Sequence, residues 1–263
     1  MFIDNIFNGF TTYWKEYQLA GKEINLTDEN LMGAFPIFQH ALNNRLHFSI
    51  FNHRTQVTEY STDNTMDLFG FSKEVFLKKG TAALIEAMND EQSKILSECI
   101  DRLKDFIYLM KEEEIIDNIN IFYCGITYNH PQKGITKLLC QQVIFESDEM
   151  KMPKRELSVI RDISHLIKKD SCWFKADIIT AQKTHYLTYK GDNNEFLKTN
   201  ILSEREKEIL GFIALGKEAE FIAKELFLSK VTINNHRQNM LNKLGAKDST
   251  ALVQLAKLTQ NIL

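Results

Sequence analysis

The chain predicts two modules of different class, an α+β domain followed by an all-α bundle of four short helices. Periodicity carries the first half of this reading: runs rich in β-branched and aromatic residues alternate with helical spacing as far as residue 187. Charge carries the second, because residues 1–199 hold 23 Lys and Arg against 28 Asp and Glu, whereas residues 200–263 hold 9 against 7, turning a net of −5 into +2. Punctuation carries the third, since from Leu202 onward caps and glycine stops follow at short intervals. With 263 residues there is length for two modest domains, and 44% hydrophobic residues can fill two cores.

In order, residues 1–27 hold an amphipathic helix with Phe2, Ile3, Ile6, Phe7, Phe10, Tyr13, Trp14 and Tyr17 near i, i+3, i+4 spacing. Its aromatic face either packs on its own domain or forms a dimer contact. Asp28 to Leu46 reads as a second helix broken at Pro36. At His47–Thr62 the period changes to that of a strand pair, with a polar turn near Asn52–Thr55. Asn64–Phe69 and Ser72–Lys79 are short helices, each opened by a polar cap candidate. Asp90 to Lys111 is a longer helix with Ile95, Leu96, Cys99, Ile100, Leu103, Ile107 and Met110 on one side. Asn118–Asn129 and Ile135–Glu146 read as strands, with Pro131 and Gly134 in the turn between them. After a helical or irregular stretch around Pro153, the segments Val159–Ile167 and Asp177–Lys190 complete the sheet or lead out of it. Residues 188–200 are polar, contain Gly191, and read as the linker.

The bundle, residues 201–263, begins with a capping box at Ser203 and Glu206. Its first helix carries Ile209, Leu210 and Ile213 and stops at Gly216; Ala219–Phe227 is the second, short helix. Ser229 caps the third, Gly245 closes it, and Asp248 caps a fourth carrying Leu252, Leu255, Ala256 and Leu258. The third helix holds cations and no carboxylate. With Ile233 inward, a rotation of about 100° per residue turns Val231, Asn235, Gln238 and Asn242 outward, with Asn234 on the shoulder. Asn and Gln amides pair bidentately with adenine and Val touches a thymine methyl, so Val231, Asn234, Asn235 and Gln238 are the candidate base readers. Ser229, Lys230 and Thr232 stand at the helix N-terminus, where free N–H groups suit a phosphate, and Arg237 and Lys243 on the flank serve phosphate or structural roles. His236, beside the inward face, reads as a packing residue.

Other chemistries find little footing. The chain lacks the P-loop, dinucleotide, zinc-protease and nucleophile-elbow motifs, and the acidic cluster of a phosphoacceptor domain. Cys99, Cys124, Cys140 and Cys172 are widely spaced, which suits free thiols in a reducing compartment. Cys124 and Cys140 fall on the two strands of one hairpin, and His47 and His53 share strand parity as a conceivable ligand pair. No cofactor is specified. The first residues lack the cations of a signal peptide and no apolar run approaches about 20 residues, so a cytoplasmic protein with no membrane partner is expected. Two competitors stand beside nucleic-acid binding: an enzyme fused to a helical dimerisation bundle, for which the Glu112–Glu114 run is the best feature, and a protein-interaction domain.

Two resemblances sharpen these expectations. The order of elements over residues 28–187, with the strands near Phe48–Tyr60, the segment Gly70–Leu77 and Arg161–Ser164, resembles the PAS fold, an antiparallel sheet with helices on one face around a ligand-sized pocket. Residues 201–263 resemble the LuxR-type helix-turn-helix domain through Leu202, Arg205, Glu206, Ile209, Leu210, Gly216, Ile222, Ala223, Leu226, Ser229, Thr232, Ile233, His236, Met240, Lys243, Leu244 and Gly245. They imply a one-component transcriptional regulator that binds double-stranded DNA as a homodimer, with a small-molecule ligand or a dimer contact in the first domain. One departure is the turn before the second helix, where Lys217, Glu218, Ala219 and Glu220 replace the usual Ser-Asn-Lys type of sequence and place two acids near the duplex. In the fourth helix, Leu252 and Leu255 either close the core or also make a dimer contact.

Overall fold

The computed structural model describes residues 46–80, 82–88, 90–110, 116–149, 152–168, 171–190, 195–259 and 261. The two helices expected before Leu46, the Glu112–Glu114 run and residues 191–194 of the expected linker lie outside them. At its centre is an antiparallel sheet of β1 (His47–Asn52), β2 (Val57–Ser61), β3 (Ile116–His130), β4 (Gly134–Ser147), β5 (Pro153–Asp162), β6 (Trp173–Thr180), β7 (Thr184–Lys190) and β8 (Glu195–Leu197), ordered β2-β1-β5-β4-β3-β6-β7-β8. Helices α1 (Thr65–Phe69), α2 (Lys73–Lys79), α3 (Ala82–Ile85) and α4 (Asp90–Met110) follow β2. The C-terminal bundle comprises α5 (Glu204–Ala214), α6 (Ala219–Glu225), α7 (Lys230–Leu244) and α8 (Ser249–Leu258).

The mixed α+β class, the strand pair, the three expected helices and the long hairpin stand where the periodicity puts them. Two stretches differ. Pro153 opens β5 instead of sitting in a helical or irregular segment, which a proline tolerates at the first residue of a strand. The stretch expected to link the modules is partly sheet: β7 runs on to Lys190 and Glu195–Leu197 pairs with Thr188–Lys190. Its polar composition reflects a short edge position, not a free tether.

The central strands are apolar on both faces because both faces are covered. In β3, Ile121 and Tyr123 join Leu103, Ile107 and Cys99 of α4 in one core, while the alternate residues Phe122 and Cys124 join Leu139, Trp173, Ile209, Ile222, Leu244 and Leu252 in another. One residue of offset thus separates the α4 side from the bundle side. The hairpin cysteines follow the same rule: Cys140 lies opposite Tyr123 and Cys124 opposite Leu139, so they face opposite cores, free and buried, with burial pushing both thiols above their ordinary pKa. The histidine parity also dissolves. His47 is buried against Asn64 (3.3 Å) and Thr62 (3.2 Å), and burial pushes its pKa down to about 3. His53 lies in the turn after β1 and meets Glu156 at 2.9 Å. Among the described residues no group of His, Cys, Asp and Glu could hold a metal, and no helix is long and apolar enough to cross a membrane.

The bundle is joined to the sheet through backbone as well as side chains. The turn after β5 forms a bridge between Ile167 and Ala246, with Lys168 N–H donating to Gly245 O at 2.7 Å and Lys247 N–H to Leu166 O at 3.0 Å. Trp173 Nε1 donates to Leu244 O at 3.2 Å. Gly245, the stop of α7, has φ +67°, and a Cβ there would stand 2.2 Å from Ser171 Cβ. Gly216 has a similar φ of +72° with nothing within 4 Å. Gly216→Ala is therefore expected to cost about 1 kcal/mol of backbone strain, and Gly245→Ala about 2–3 kcal/mol because the joint must also open. Urea unfolding of the two variants measures the difference, and equal losses would mean that Ser171 does not press on the helix stop.

Candidate nucleic-acid interface

The bundle forms around residues that the helices bring to one point. Ile209, Leu210, Ile222, Ile233, Met240, Leu244, Leu252 and Leu255 are fully buried, and three side-chain caps set the helix starts. Ser203 and Glu206 form the reciprocal capping box of α5, Ser229 accepts from Thr232 N–H at 3.0 Å, and Asp248 accepts from Ala251 N–H at 2.8 Å. Burial of Leu252 and Leu255 assigns them to core closure; they offer no free surface for a dimer contact.

With Ile233, Met240 and Leu244 inward, α7 turns Val231 (68% exposed), Asn234, Asn235, Gln238 and Asn242 to solvent. The row of side-chain amides lies along one exposed face, and Gln238 Nε2 donates to Asn242 Oδ1 at 3.1 Å. Asn239 is exposed beside them and belongs to the same set; six residues from Ile233 at 100° each would have put it on the second shoulder. Lys168, brought from the turn after β5, stands 3.5 Å from Asn242 Oδ1. His236 is half-buried, on the flank of the inward face.

The cations divide by partner. Lys230 meets Glu220 at 2.6 Å with both side chains largely exposed, and its ammonium pKa is raised by that contact. The acid expected to oppose the duplex is thus held by a cation of the neighbouring helix. Lys243 reaches back to Glu206 at 2.7 Å, where the carboxylate is 4% exposed, so in this conformation it is a pairing residue of the bundle. Burial pushes the Glu206 carboxyl up, but the hydrogen bonds from Lys243 and Ser203 outweigh it and leave the pKa below the ordinary value. Arg237 is half-buried, with Nε lacking a partner. Ser229, Lys230 and Thr232 surround the first turn, Ser229 Oγ lying 2.8 Å from Thr232 Oγ1.

A further residue at this end has no periodic signal to announce it. Phe227, in the turn between α6 and α7, has φ +54° and is 95% exposed. A bulky residue in the left-handed region is strained, and strain of this kind gathers at functional sites.

Residues 200–256 match the family model described as bacterial regulatory proteins, luxR family. The chain is 38% identical over 65 residues to the spore germination protein GerE of Bacillus subtilis, a match covering 24% of this chain and 88% of GerE. It is 30% identical over 140 residues to the CsgBAC operon transcriptional regulatory protein of Escherichia coli, covering 53% of this chain and 61% of that protein. The chain spans between 40% and 61% of the length of the csgAB and CsgBAC operon transcriptional regulatory proteins that it matches, from Salmonella typhimurium and Escherichia coli. Among solved structures, the Vibrio cholerae VqmA dimer in the absence of target DNA is similar at 13% identity, covering 91% of each chain, with a TM-score of 0.28.

The Lys243–Glu206 pair gives a prediction with a definite sign. Because Glu206 is depressed in the folded state, its contribution is complete above the ordinary value of 4.5 and is lost as pH falls through the folded value. Lys243→Met is expected to lower stability at neutral pH by about 2 kcal/mol and to remove that acid-side loss. Chemical denaturation from neutral pH into the acid range measures both, and a variant as stable as the parent would refute the pairing.

Proposed function

We propose that this chain, which belongs to the luxR family of bacterial regulatory proteins, is a one-component transcriptional regulator whose α7 reads duplex DNA. The observation that carries the reading is the exposed row Val231, Asn234, Asn235 and Gln238 on a helix whose opposite side is sealed into a core. A major groove admits such a helix, and amide side chains at that spacing reach base edges. Ser229, Thr232 and the first-turn amides face a phosphate, with Lys230 and Arg237 as the neighbouring cations and Lys243 contributing mainly through Glu206. Two copies acting on a two-fold site complete the proposal.

The first domain is proposed as the sensor, PAS-like in having an antiparallel sheet with helices over one face. What supports this is a cavity of about 490 Å³ between α4 and the sheet, lined by Leu103, Ile107, Ile121, Tyr123, Leu138 and Ile144, with Gln142 and Glu156 among its polar groups. Its size and its apolar lining with few polar groups suit a small molecule. The csgAB and CsgBAC operon relatives named above are transcriptional regulatory proteins, which favours a regulator over an enzyme.

Asn235→Ala and Gln238→Ala are each expected to shift sequence preference by about 1–3 kcal/mol at one base pair. Lys230→Gln is expected to weaken binding to every sequence and to reduce the slope of log K against log salt by about 1. Selection from a random duplex pool followed by titration at several salt concentrations separates the two effects. Unaltered preference in both amide variants would overturn the docking.

A further inference from the structure

Where the bundle meets the sheet lies a second cavity of about 580 Å³, separate from the one under α4, with walls from both modules. Leu68 of α1, Arg161 at the end of β5 and Leu166 of the following turn form one side; Gln254, Lys257 and Leu258 of α8 form the other. Arg161 lies opposite Leu139 in the β4–β5 register, on the face that receives the bundle. Its Nη2 is buried without a hydrogen-bond partner, and burial alone pushes its pKa down to about 10, with no carboxylate acting to raise it. Two carboxylates also line the cavity, each with its own partner: Asp67 pairs with Lys133, a further lining cation, at 3.1 Å, and Asp162 accepts from the N–H of Ser164 at 2.8 Å and from its Oγ at 2.5 Å. Lys257, exposed at the mouth, has no ion pair among the described residues.

A guanidinium largely withdrawn from water with one buried N–H group left without an acceptor is costly, and its planar fork fits the two oxygens of a carboxylate or phosphate. We propose that this cavity binds a small organic oxyanion, its charged end on Arg161 with Lys257 beside it, and a short apolar body against Leu68, Leu166 and Leu258. Because α8 supplies one wall and β5 the other, the bound anion fastens the bundle to the sheet.

The test uses the full chain at fixed pH and ionic strength, with calorimetric titration and thermal unfolding in hexanoate, n-butyl phosphate and, as the uncharged control, hexanol. Expected is saturable binding and a raised unfolding temperature with at least one of the two anions and neither with hexanol; the tighter anion identifies the class. Arg161→Gln is expected to weaken binding by more than about tenfold. Lys257→Gln, at an exposed position, is expected to weaken it roughly two- to fivefold, with Lys257→Arg restoring it. Should Arg161→Gln fail to fold, the two Lys257 variants decide. Hexanol binding as well as the anions, neither anion binding, or Lys257→Gln binding like the parent would each overturn the proposal. No DNA enters these measurements, so their outcome is independent of the regulator reading.

Discussion

The structure depends on a sheet that is buried on both faces. Strands β3, β4 and β6 must supply apolar side chains to both faces, and the pleat sends successive residues to different cores. Phe122, Cys124, Leu139 and Trp173 are what the bundle stands on; Ile121, Tyr123, Leu138 and Phe174 are what α4 covers. The cavity under α4 on one face and the helical bundle on the other are therefore only one sheet thickness apart. Whatever shifts the strands under α4 also shifts the platform under α7, and interiors packed to this density pass on displacement instead of absorbing it.

Electrostatics around α7 follow from burial rather than from charge count. The pair Lys230–Glu220 lies in solvent, where screening makes ion pairs weak, so the ammonium can leave it at little cost. The pair Lys243–Glu206 is different, because Glu206 is enclosed and also holds the Ser203 cap. Removing Lys243 from it would leave a buried carboxylate without a counter-charge, held only by Ser203. Two lysines on one helix thus carry different duties.

Much of this was legible in residue order. Caps and glycine stops defined the four bundle helices, because Ser203, Glu206, Ser229, Gly245 and Asp248 act locally, within a turn of where they stand. The exposed face of α7 followed from the inward position of Ile233 alone. What stayed hidden depends on contacts between distant residues. Nothing local distinguishes Lys243 from Lys230; their partners lie 37 and 10 residues away. Pro153 resembled an irregular stretch because a strand-opening proline and a loop proline are identical until the neighbouring strand is known. Thr188–Lys190 resembled a linker because its pairing partner, Glu195–Leu197, is too short to have a period. Phe227 gave no signal, since its backbone conformation is imposed by the turn it closes.

The bridge between Ile167 and Ala246 is made of amide groups, and any residue other than proline at the donor positions can form it. Such a seam is indifferent to side-chain identity at its donors Lys168 and Lys247, though not at Gly245, so much of the two modules can diverge in sequence while remaining fastened in one register. The surface of the first module could be remodelled without altering its hold on α7. Freedom of sequence in the first module and a fixed register between the two are, in this chain, reconciled by the same pair of hydrogen bonds.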